Sequence, residues 1–284
     1  MSKFNYDPHK TYEIGFIGSG NMAQAIGLAF IKKGICKAEN LIVSSPSENN
    51  KKVWKDIGAA VTTDNNDVFC NTKIVFLATK PQYFSKVVSE LYIKALGPLN
   101  ILISIMAGIP LNTIQEAFML KPSVIFKVMP NTPSLIQEGF SVISYQNEAI
   151  LEEIEVTLPK VKLLMSAIGG VEVIPESLMN AAGAISGSGP AYAFLIIEAL
   201  ADGGVKQGLP RDLAVRLAAS AMAGGSRMVL ETGKHTGQLK DMVTSAGGST
   251  IAALHALEKG GVRFAMMDAV EAATNRSKEM GEKK

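Results

Sequence analysis

The first 175 residues alternate between short apolar runs and longer stretches in which apolar positions recur at helical spacing. The short runs are rich in β-branched and aromatic residues and lie at 13–18, 41–44, 73–78, 100–105, 124–129 and 140–145. Helical periodicity or turn residues fill the stretches at 21–33, 48–57, 83–95, 111–119 and 148–168. Continuous apolar runs such as 74–77 are typical of strands buried on both faces. The pattern predicts an α/β fold with a doubly wound, mostly parallel sheet.

The pattern changes after Pro175, where strand signals end and alanine, glycine and strong helix formers dominate. Glycine-terminated helices are predicted at 191–204, 211–233, 250–261 and 264–280. Apolar residues occur on most faces of the second of these helices, which is typical of a helix buried on several sides. A lone domain of this kind would expose a large apolar patch, so we expect at least a dimer. We predict two domains, residues 1–175 and 176–284.

Composition is consistent with two domains and narrows the function classes. The chain has 284 residues, and domains average about 150; its net charge of +2 is too small to favour nucleic acid or an acidic membrane surface. The two cysteines, Cys36 and Cys70, lack metal-ligand spacing and indicate a reducing compartment rather than a disulfide. The N-terminus resembles no signal or transit peptide, and the longest apolar stretches, such as 101–111, are expected to fall well short of the ~20 residues that span a bilayer. We expect a cytoplasmic protein without a metal.

A glycine-rich turn joins the first predicted strand to the first predicted helix. Gly18 permits a tight backbone, and Gly20 lets a diphosphate approach the main chain. The helix that begins near Asn21 directs its free N–H groups and the positive end of its dipole at the same place. Ala23 is small enough for close packing of helix on strand. Because the motif follows a strand and opens a helix, a dinucleotide is favoured over an ordinary glycine turn.

The end of the second predicted strand bears on the choice of dinucleotide. An acidic residue there would bind the ribose hydroxyls of NAD and repel a 2′-phosphate. Glu39 precedes the strand and therefore lies at the wrong end, whereas the carboxyl end reads Ser44-Ser45-Pro46. NADP is favoured, with a modest preference because no arginine follows, and acceptance of NADH is left open. Lys51 and Lys52 are interpreted as solvated helix positions.

Two further strand ends are expected to face the same cofactor, because ligands of such sheets lie outside the carboxyl ends of the strands. Ala78, Thr79 and Lys80 follow one strand, and Ala107 follows the next. These residues are mostly small where a nicotinamide ribose would pass. Lys80 either bonds the ribose or is simply solvated.

The helical half contains a second glycine turn, at Gly247 and Gly248, followed by Ser249 and Thr250. Exposed N–H groups and hydroxyls at the start of a helix make an anion nest suited to a carboxylate. Ordinary capping of the helix by Ser249 or Thr250 is the alternative. The histidines at 235 and 255 have no partner at an evident spacing, and a packed or interface position is expected for the second.

Three blocks, "GFIGSGNMA", "VMPNTPSLIQEG" and "SGSGPAYAF…GQLKDMVTSAGGSTIAALHALEKGG", occur in the order found in the pyrroline-5-carboxylate reductase family, which the chain resembles over nearly its whole length. The resemblance implies an N-terminal Rossmann domain and a helical dimerisation and substrate-binding domain. It also implies reduction of 1-pyrroline-5-carboxylate to L-proline with NAD(P)H, the last step of proline biosynthesis. Dimers of the family often assemble further into rings.

The resemblance also implies a set of site residues. The diphosphate loop falls on Ile17, Gly18, Ser19, Gly20, Asn21 and Met22. Ser45 matches the contact to the adenosine ribose or its phosphate, and Asn65 matches the contact to the adenine. The nicotinamide half falls on Ala78, Thr79, Lys80 and Ala107. Substrate carboxylate binding falls on Ser245, Gly248, Ser249 and Thr250, and Thr250 is also the candidate catalytic donor to the ring nitrogen, with solvent as the alternative.

The chain departs from the family where Ala246 replaces a frequent proline and where Asn180 and the pair at 183–184 differ from common residues. Two other functions were weighed. A β-hydroxyacid dehydrogenase shares the two-domain plan, but its catalytic lysine is missing from "GAISGSGPAYAF". A non-enzymatic NADP-binding regulator is compatible with the sequence, although it would leave the anion nest without a purpose.

Overall fold

The computed structural model describes residues 6–92, 101–118, 124–145 and 151–282. Within these ranges, eight strands are β1 (Tyr12–Ile17), β2 (Leu41–Ser44), β3 (Ala60–Thr62), β4 (Thr72–Leu77), β5 (Ile101–Ser104), β6 (Val124–Met129), β7 (Gly139–Tyr145) and β8 (Gly169–Val173). The α-helices of the same ranges are α1 (Asn21–Lys32), α2 (Glu48–Asp56), α3 (Asn65–Cys70), α4 (Phe84–Glu90), α5 (Leu111–Ala117), α6 (Leu151–Ser166), α7 (Met179–Ser186), α8 (Gly189–Lys206), α9 (Arg211–Thr232), α10 (Thr236–Met242), α11 (Ser249–Lys259) and α12 (Val262–Glu282).

The strands form a single sheet in the order β3-β2-β1-β4-β5-β6-β7-β8. Every neighbouring pair is parallel except β6 and β7. The chain builds outward from β1 through β2 to β3, and then returns to place β4 on the other side of β1. The predicted Rossmann-type fold with a mostly parallel sheet is therefore confirmed, with the topological switch point between β1 and β4.

Several short elements were not predicted from the sequence. Strands β3 and β8 lie at the two edges of the sheet. Strand β3 has only three residues, and strand β8 opens with two glycines. Helices α3, α7 and α10 have six to eight residues, too few for a clear apolar period. The predicted residues 93–95, 100, 119 and 148–150 lie outside the described ranges.

Aromatic side chains fill the core on one face of the sheet. The rings of Phe16 and Phe76 stack with centroids 4.9 Å apart, and Trp54 tilts against Phe16 at 5.3 Å. All three side chains are fully buried. Helix α1 approaches this cluster closely because Gly27 leaves room for the Trp54 ring, which a Cβ at residue 27 would strike. This packing fixes α1 and α2 on the sheet, and with them the loops that follow β1 and β2.

The chain divides into two compact units, Met1–Gly187 with Thr274–Lys284, and Ser188–Ala273. The first contains the sheet, and the last eleven residues of the chain return to it. A Cβ at Gly281 would lie 3.5 Å from the carbonyl oxygen of Gly108 in this unit. The division falls twelve residues after the predicted domain boundary at 175, which stays a prediction.

The second unit is helical and leaves large apolar side chains uncovered. In α8 and α9 these include Phe194, Leu195, Leu217 and Leu230. The buried residues of α9 are Ala214 and Ala218. Such a surface fits the expectation that this half packs against a further chain.

One stretch of the described residues, Glu176–Lys206, is long and apolar enough to cross a membrane by length and composition alone. The expectation that the longest apolar stretches fall well short of a membrane span is wrong for this stretch. Core helices of soluble proteins meet the same criterion, so it is weak grounds for a membrane.

Candidate cofactor and substrate sites

The carboxyl ends of four neighbouring strands are in register. Ile17 at the end of β1 pairs with Ser44 at the end of β2 and with Leu77 at the end of β4. Leu77 in turn pairs with Ser104 at the end of β5. The loops that follow these strands therefore start from one line across the sheet, beside the switch point. This register brings the predicted cofactor residues of the first unit to a single edge.

Gly18 occupies a position that excludes a side chain. Its φ of +105° lies in the region that favours glycine, and a Cβ would lie 2.7 Å from the main-chain carbon and oxygen of Ala78. The amide of Ala78 donates to the carbonyl of Ile17 at 2.8 Å. The turn after β1 is thus pressed against the turn after β4, and only glycine fits between them.

Gly20 serves the site in a different way. It is the N-cap of α1 with an extended backbone, and a Cβ added to it would meet no protein atom within 4 Å. No side chain caps this helix, so the N–H groups of its first turn have no side-chain acceptor from the cap. The open space and the uncapped helix start suit a diphosphate, which fits the predicted loop of residues 17–22.

Hydroxyl groups join the glycine loop to the end of β2. Ser19 Oγ donates to Ser45 Oγ at 2.6 Å, and both side chains are buried. The amide of Ser47 also donates to Ser45 Oγ, at 3.1 Å. Next to it, Ser44 Oγ donates to Oδ1 of Asn65 at 2.7 Å. The structure therefore places Ser45 and Asn65 at the predicted edge, with both side chains already engaged within the protein.

The other strand ends carry smaller and more open residues. Ala78 and Thr79 are partly buried, and the Thr79 hydroxyl lies 3.6 Å from the Met106 sulfur. Lys80 and Ala107 are exposed. All four residues follow β4 or β5 at the edge described above. The two interpretations of Lys80, a ribose contact or a solvated side chain, both stay open.

Lys51 differs from its interpretation as a solvated residue. Its side chain is 5% exposed, and its Nζ pairs with Glu48. Lys52 does behave as expected, since its side chain is 75% exposed and pairs with Asp56 along the helix. Lys51 lies three residues before the buried Trp54 and so on the same face of α2, and the structure corrects the interpretation for Lys51.

Two positioning residues were also missed by sequence reasoning. Gln24 Nε2 donates to the carbonyl of Ser19 at 2.9 Å and so holds the glycine loop from within α1. Asn131 Nδ2 donates to the carbonyl of Ser186 at 3.1 Å, while its Oδ1 accepts from the amide of Phe140 at 2.8 Å. The sequence offered two signals for these residues. One is a glutamine in the first turn of the helix that follows the glycine loop, and the other is an asparagine two residues after the end of β6.

In the second unit, the start of α11 has the form expected for an anion site. Gly247 adopts a φ of +69°, and Gly248 is the N-cap of the helix, with no side-chain cap. The capping alternative for Ser249 and Thr250 is therefore not what the structure shows. The amide of Gly248 donates to the carbonyl of Ser245 at 3.1 Å, so this N–H is not exposed, contrary to expectation.

The N–H groups that remain at this turn belong to the helix itself. The first helical bond runs from the amide of Ala252 to the carbonyl of Gly248, so residues 249–251 precede the hydrogen-bonding pattern. Thr250 is partly buried, whereas Ser245 and Ser249 are exposed. A Cβ at residue 248 would meet the Ser245 hydroxyl, and a rotation of that side chain can relieve the contact. The turn thus offers N–H groups and hydroxyls together.

The remaining candidates for chemistry have structural roles or none that is visible. His235 Nδ1 accepts from the amide of Gly237 and caps α10, while His255 is exposed rather than packed in a core. Neither Cys36 nor Cys70 forms a disulfide among the described residues, and burial raises the pKa of the Cys36 thiol to about 12. Within the described ranges, no cluster of three or more histidine, cysteine or acidic residues could hold a metal.

Comparison with known proteins bears on both units. Residues 176–280 match the family model described as pyrroline-5-carboxylate reductase dimerisation, and residues 13–108 match one described as NADP oxidoreductase, coenzyme F420-dependent. Pyrroline-5-carboxylate reductase of Methanosarcina acetivorans is 42% identical over 95% of this chain and 98% of its own. The chain belongs to the pyrroline-5-carboxylate reductase family.

Other members of the family agree over similar lengths. Pyrroline-5-carboxylate reductase of Arabidopsis thaliana is 41% identical over 97% of this chain and 98% of its own length. The crystal structure of the Plasmodium falciparum pyrroline carboxylate reductase, with NADP bound, is 32% identical and superposes with a TM-score of 0.83 over 96% of this chain and 99% of that one. Membership of the reductase family accounts for the order of elements, a sheet-containing half followed by a dimerisation half.

Proposed function

We propose that this chain catalyses the NADPH-dependent reduction of 1-pyrroline-5-carboxylate to L-proline. The observation that carries the proposal is a pair of helix N-termini that have no side-chain cap. One is the start of α1 after Gly20, and the other is the start of α11 after Gly248. The first suits the diphosphate of a dinucleotide, and the second suits a carboxylate of a small substrate. Family membership supplies the reaction that requires both ligands.

In the first unit, the protein binds and orients the cofactor. The residues proposed to hold it are Ile17–Met22 at the diphosphate, Ser45 and Asn65 at the adenosine, and Ala78, Thr79, Lys80 and Ala107 at the nicotinamide half. When bound, NADPH supplies the hydride. The contact of Gly18 with Ala78 fixes the two flanking turns before the cofactor arrives, so little of the binding free energy is lost in ordering them.

In the second unit, the protein binds the substrate. Ser245, Gly248, Ser249 and Thr250 are proposed to hold the carboxylate through the N–H groups and hydroxyls at the start of α11. A carboxylate at this position also benefits from the positive end of the helix dipole. Anchoring this group fixes the orientation of the ring, and orientation of two bound reactants is itself a large source of rate enhancement.

The reaction adds a hydride to the C=N carbon and a proton to the nitrogen. A cyclic imine is electrophilic once its nitrogen is protonated, so the protein needs few reactive side chains. We assign to Thr250 a hydrogen bond at the ring nitrogen, because its hydroxyl does not cap α11 and lies in the same turn as the carboxylate site. The proton itself comes either from Thr250 or from solvent.

Incubation of the protein with pyrroline-5-carboxylate and NADPH, followed at the absorbance of reduced nicotinamide, tests the proposal. Stoichiometric appearance of proline is expected. A β-hydroxyacid dehydrogenase would instead oxidise a hydroxyacid, and an NADP-binding regulator would bind the cofactor without turnover. NADPH oxidation in the absence of the imine would contradict the proposal. A lack of NADPH oxidation in the presence of the imine would contradict it as well.

The working unit proposed is a homo-oligomer in which the helical unit pairs with that of a second chain. The dimerisation model matched by residues 176–280 supports this pairing, as do the uncovered apolar residues of α8 and α9. Further assembly of dimers into a ring, a cytoplasmic location without membrane association, and the domain boundary at 175 belong to the same proposal. Nucleic acid has no part in it.

A further inference from the structure

The 2′-phosphate that distinguishes NADPH from NADH calls for a cation, and the expected arginine is missing. From Leu41 to Thr62, which covers β2, α2 and β3, the sequence contains no arginine. In folds of this type, the residue that recognises the 2′ position follows the second strand. The candidate cations of this segment are its lysines, Lys51, Lys52 and Lys55.

The hydroxyls at the end of β2 are not substitutes for this cation. Ser45 Oγ is buried and accepts from Ser19 Oγ and from the amide of Ser47. Ser44 Oγ is buried and donates to Asn65. These bonds organise the loop, but a serine hydroxyl is neutral and cannot supply the positive charge. Neither serine can therefore neutralise a phosphate bound beside this loop.

Lys51 has the properties that this position requires. It lies in the first turn and a half of α2, where its amide donates to the carbonyl of Ser47 at 3.0 Å. Its side chain is 5% exposed, against 75% for Lys52, the next residue. Burying an ammonium group costs free energy that an anion must offset. A lysine that merely solvated the helix would face outward, as Lys52 does.

The anion that offsets Lys51 in the free protein lies on the solvent side. Glu48 Oε1 is 2.5 Å from Lys51 Nζ, yet the Glu48 side chain is 77% exposed. Glu48 is also the first residue of α2, directly after the loop that follows β2. A phosphate arriving at this loop meets the carboxylate and the buried ammonium together.

We propose that Lys51 determines the preference of this chain for NADPH, by exchanging its ion pair with Glu48 for one with the 2′-phosphate. The inference rests on the proposed function. A phosphate monoester carries more negative charge at neutral pH than a carboxylate and forms strong charge-assisted hydrogen bonds. Glu48 competes for the same ammonium and repels the phosphate, which accounts for a modest rather than a strict preference.

Equilibrium binding of NADP⁺ and NAD⁺ to the full-length protein, measured separately by calorimetry, tests the exchange. Lys51→Met keeps most of the apolar stem and is expected to weaken NADP⁺ binding by about 10-fold or more, with NAD⁺ binding unchanged. Lys51→Arg keeps the charge and is expected to retain most of the NADP⁺ affinity. Lys52→Met removes the neighbouring charge and is the matched control, expected to change neither affinity.

Glu48→Gln tests the opposite direction of change while the lysine itself is kept. It is expected to strengthen NADP⁺ binding and to leave NAD⁺ binding unchanged, so the proposal stays testable if Lys51→Met fails to fold. Equal weakening by Lys51→Met and Lys52→Met, equal loss of both nucleotides, or weaker NADP⁺ binding by Glu48→Gln would each overturn it. If the variants change the NADP⁺ affinity in the expected directions but the wild type does not reduce pyrroline-5-carboxylate, the proposed function fails and the role of Lys51 stands.

Discussion

The hydroxyl of Ser19 donates a 2.6 Å hydrogen bond to the hydroxyl of Ser45, across two loops that are 26 residues apart in the sequence. This bond ties the glycine loop after β1 to the loop after β2. The backbone contact of Gly18 with Ala78 ties the same loop to the turn after β4. The glycine loop is thus held from both sides, and its residues are open to separate tests.

Gly18→Ala and Gly20→Ala are expected to differ in kind. A Cβ at residue 18 meets the backbone of Ala78 and requires a positive φ, so we expect a loss of about 1–3 kcal/mol of stability together with weaker NADPH binding. A Cβ at residue 20 meets no protein atom, so its stability cost is at most about 1 kcal/mol, from the N-cap position.

NADPH affinity should nevertheless fall in Gly20→Ala, because the methyl group enters the space proposed for the diphosphate. Chemical denaturation and NADPH titration of the two variants separate the effects. Unchanged NADPH affinity in Gly20→Ala would place the diphosphate elsewhere.

Ser45→Asp is expected to shift the preference towards NADH. The carboxylate can accept the hydrogen bonds that Ser19 and the Ser47 amide now donate, and its charge repels a 2′-phosphate. The ratio of kcat/KM for NADPH and NADH measures the shift. Ser45→Asn has the same size without the charge and should leave the ratio closer to that of the wild type. Equal ratios in both variants would show that size, not charge, governs position 45.

Thr250→Ala is expected to lower turnover while leaving NADPH affinity nearly intact. One hydrogen bond to a charged group is worth roughly 1.5–3 kcal/mol, or about ten- to a hundredfold in rate. Because the hydroxyl makes no cap bond in α11, the thermal midpoint should change little. Thr250→Ser restores the hydroxyl and should recover most of the rate. Normal turnover in the alanine variant would leave protonation to solvent.

Leu217→Glu is expected to dissociate the oligomer and to reduce activity. Leu217 lies in α9 and is 52% exposed in the single chain, and a charge buried at a subunit interface is costly. Light scattering should give at least twice the 30.2 kDa of one chain for the wild type. Leu163→Glu, on α6 of the first unit at 62% exposure, is the control and should keep the wild-type mass. An active wild-type species of one chain would contradict the proposed assembly.

The free energy of unfolding is expected to fall as pH rises above about 9, the ordinary thiol pKa, partly because of Cys36. Burial raises the pKa of the folded thiol from 9.0 to about 12. Between these values the unfolded chain releases a proton that the folded chain keeps, so the unfolded state gains stability. Urea midpoints at pH 8 and pH 10.5 measure the loss. Cys36→Ala should reduce the pH dependence, and an unaltered slope would assign it to other groups.

The sequence correctly predicted a strand wherever a run of consecutive apolar residues was long enough to indicate burial on both faces of the sheet. The run 74–77 predicted β4, and the glycine turn predicted the start of α1. The edge strand β3 has three residues, and β8 opens on Gly169 and Gly170, so neither has a period to detect. Their pairing is decided by neighbours distant in the sequence.

At the candidate site, residue types could be predicted but not their hydrogen bonds. Gly20 and Gly248 were identified from local pattern alone, because each precedes a helix. The burial of Lys51 follows from the packing of α2 through the face that carries Trp54, and a lysine on that face was interpreted by its residue type instead. The amide of Gly248 was expected to be free, but the turn closes on Ser245 instead. Tight turns satisfy their own N–H groups where geometry allows.

The return of the last residues to the first unit has a consequence for how this protein is made and handled. Ser188–Ala273 is an insertion between two pieces of the sheet-containing unit, and the second piece is synthesised after the helical unit. The nucleotide-binding half can therefore be completed only after the helical half has been synthesised. Removal of residues 274–282 would take away part of the sheet-containing unit, although the adjoining sequence belongs to the helical unit.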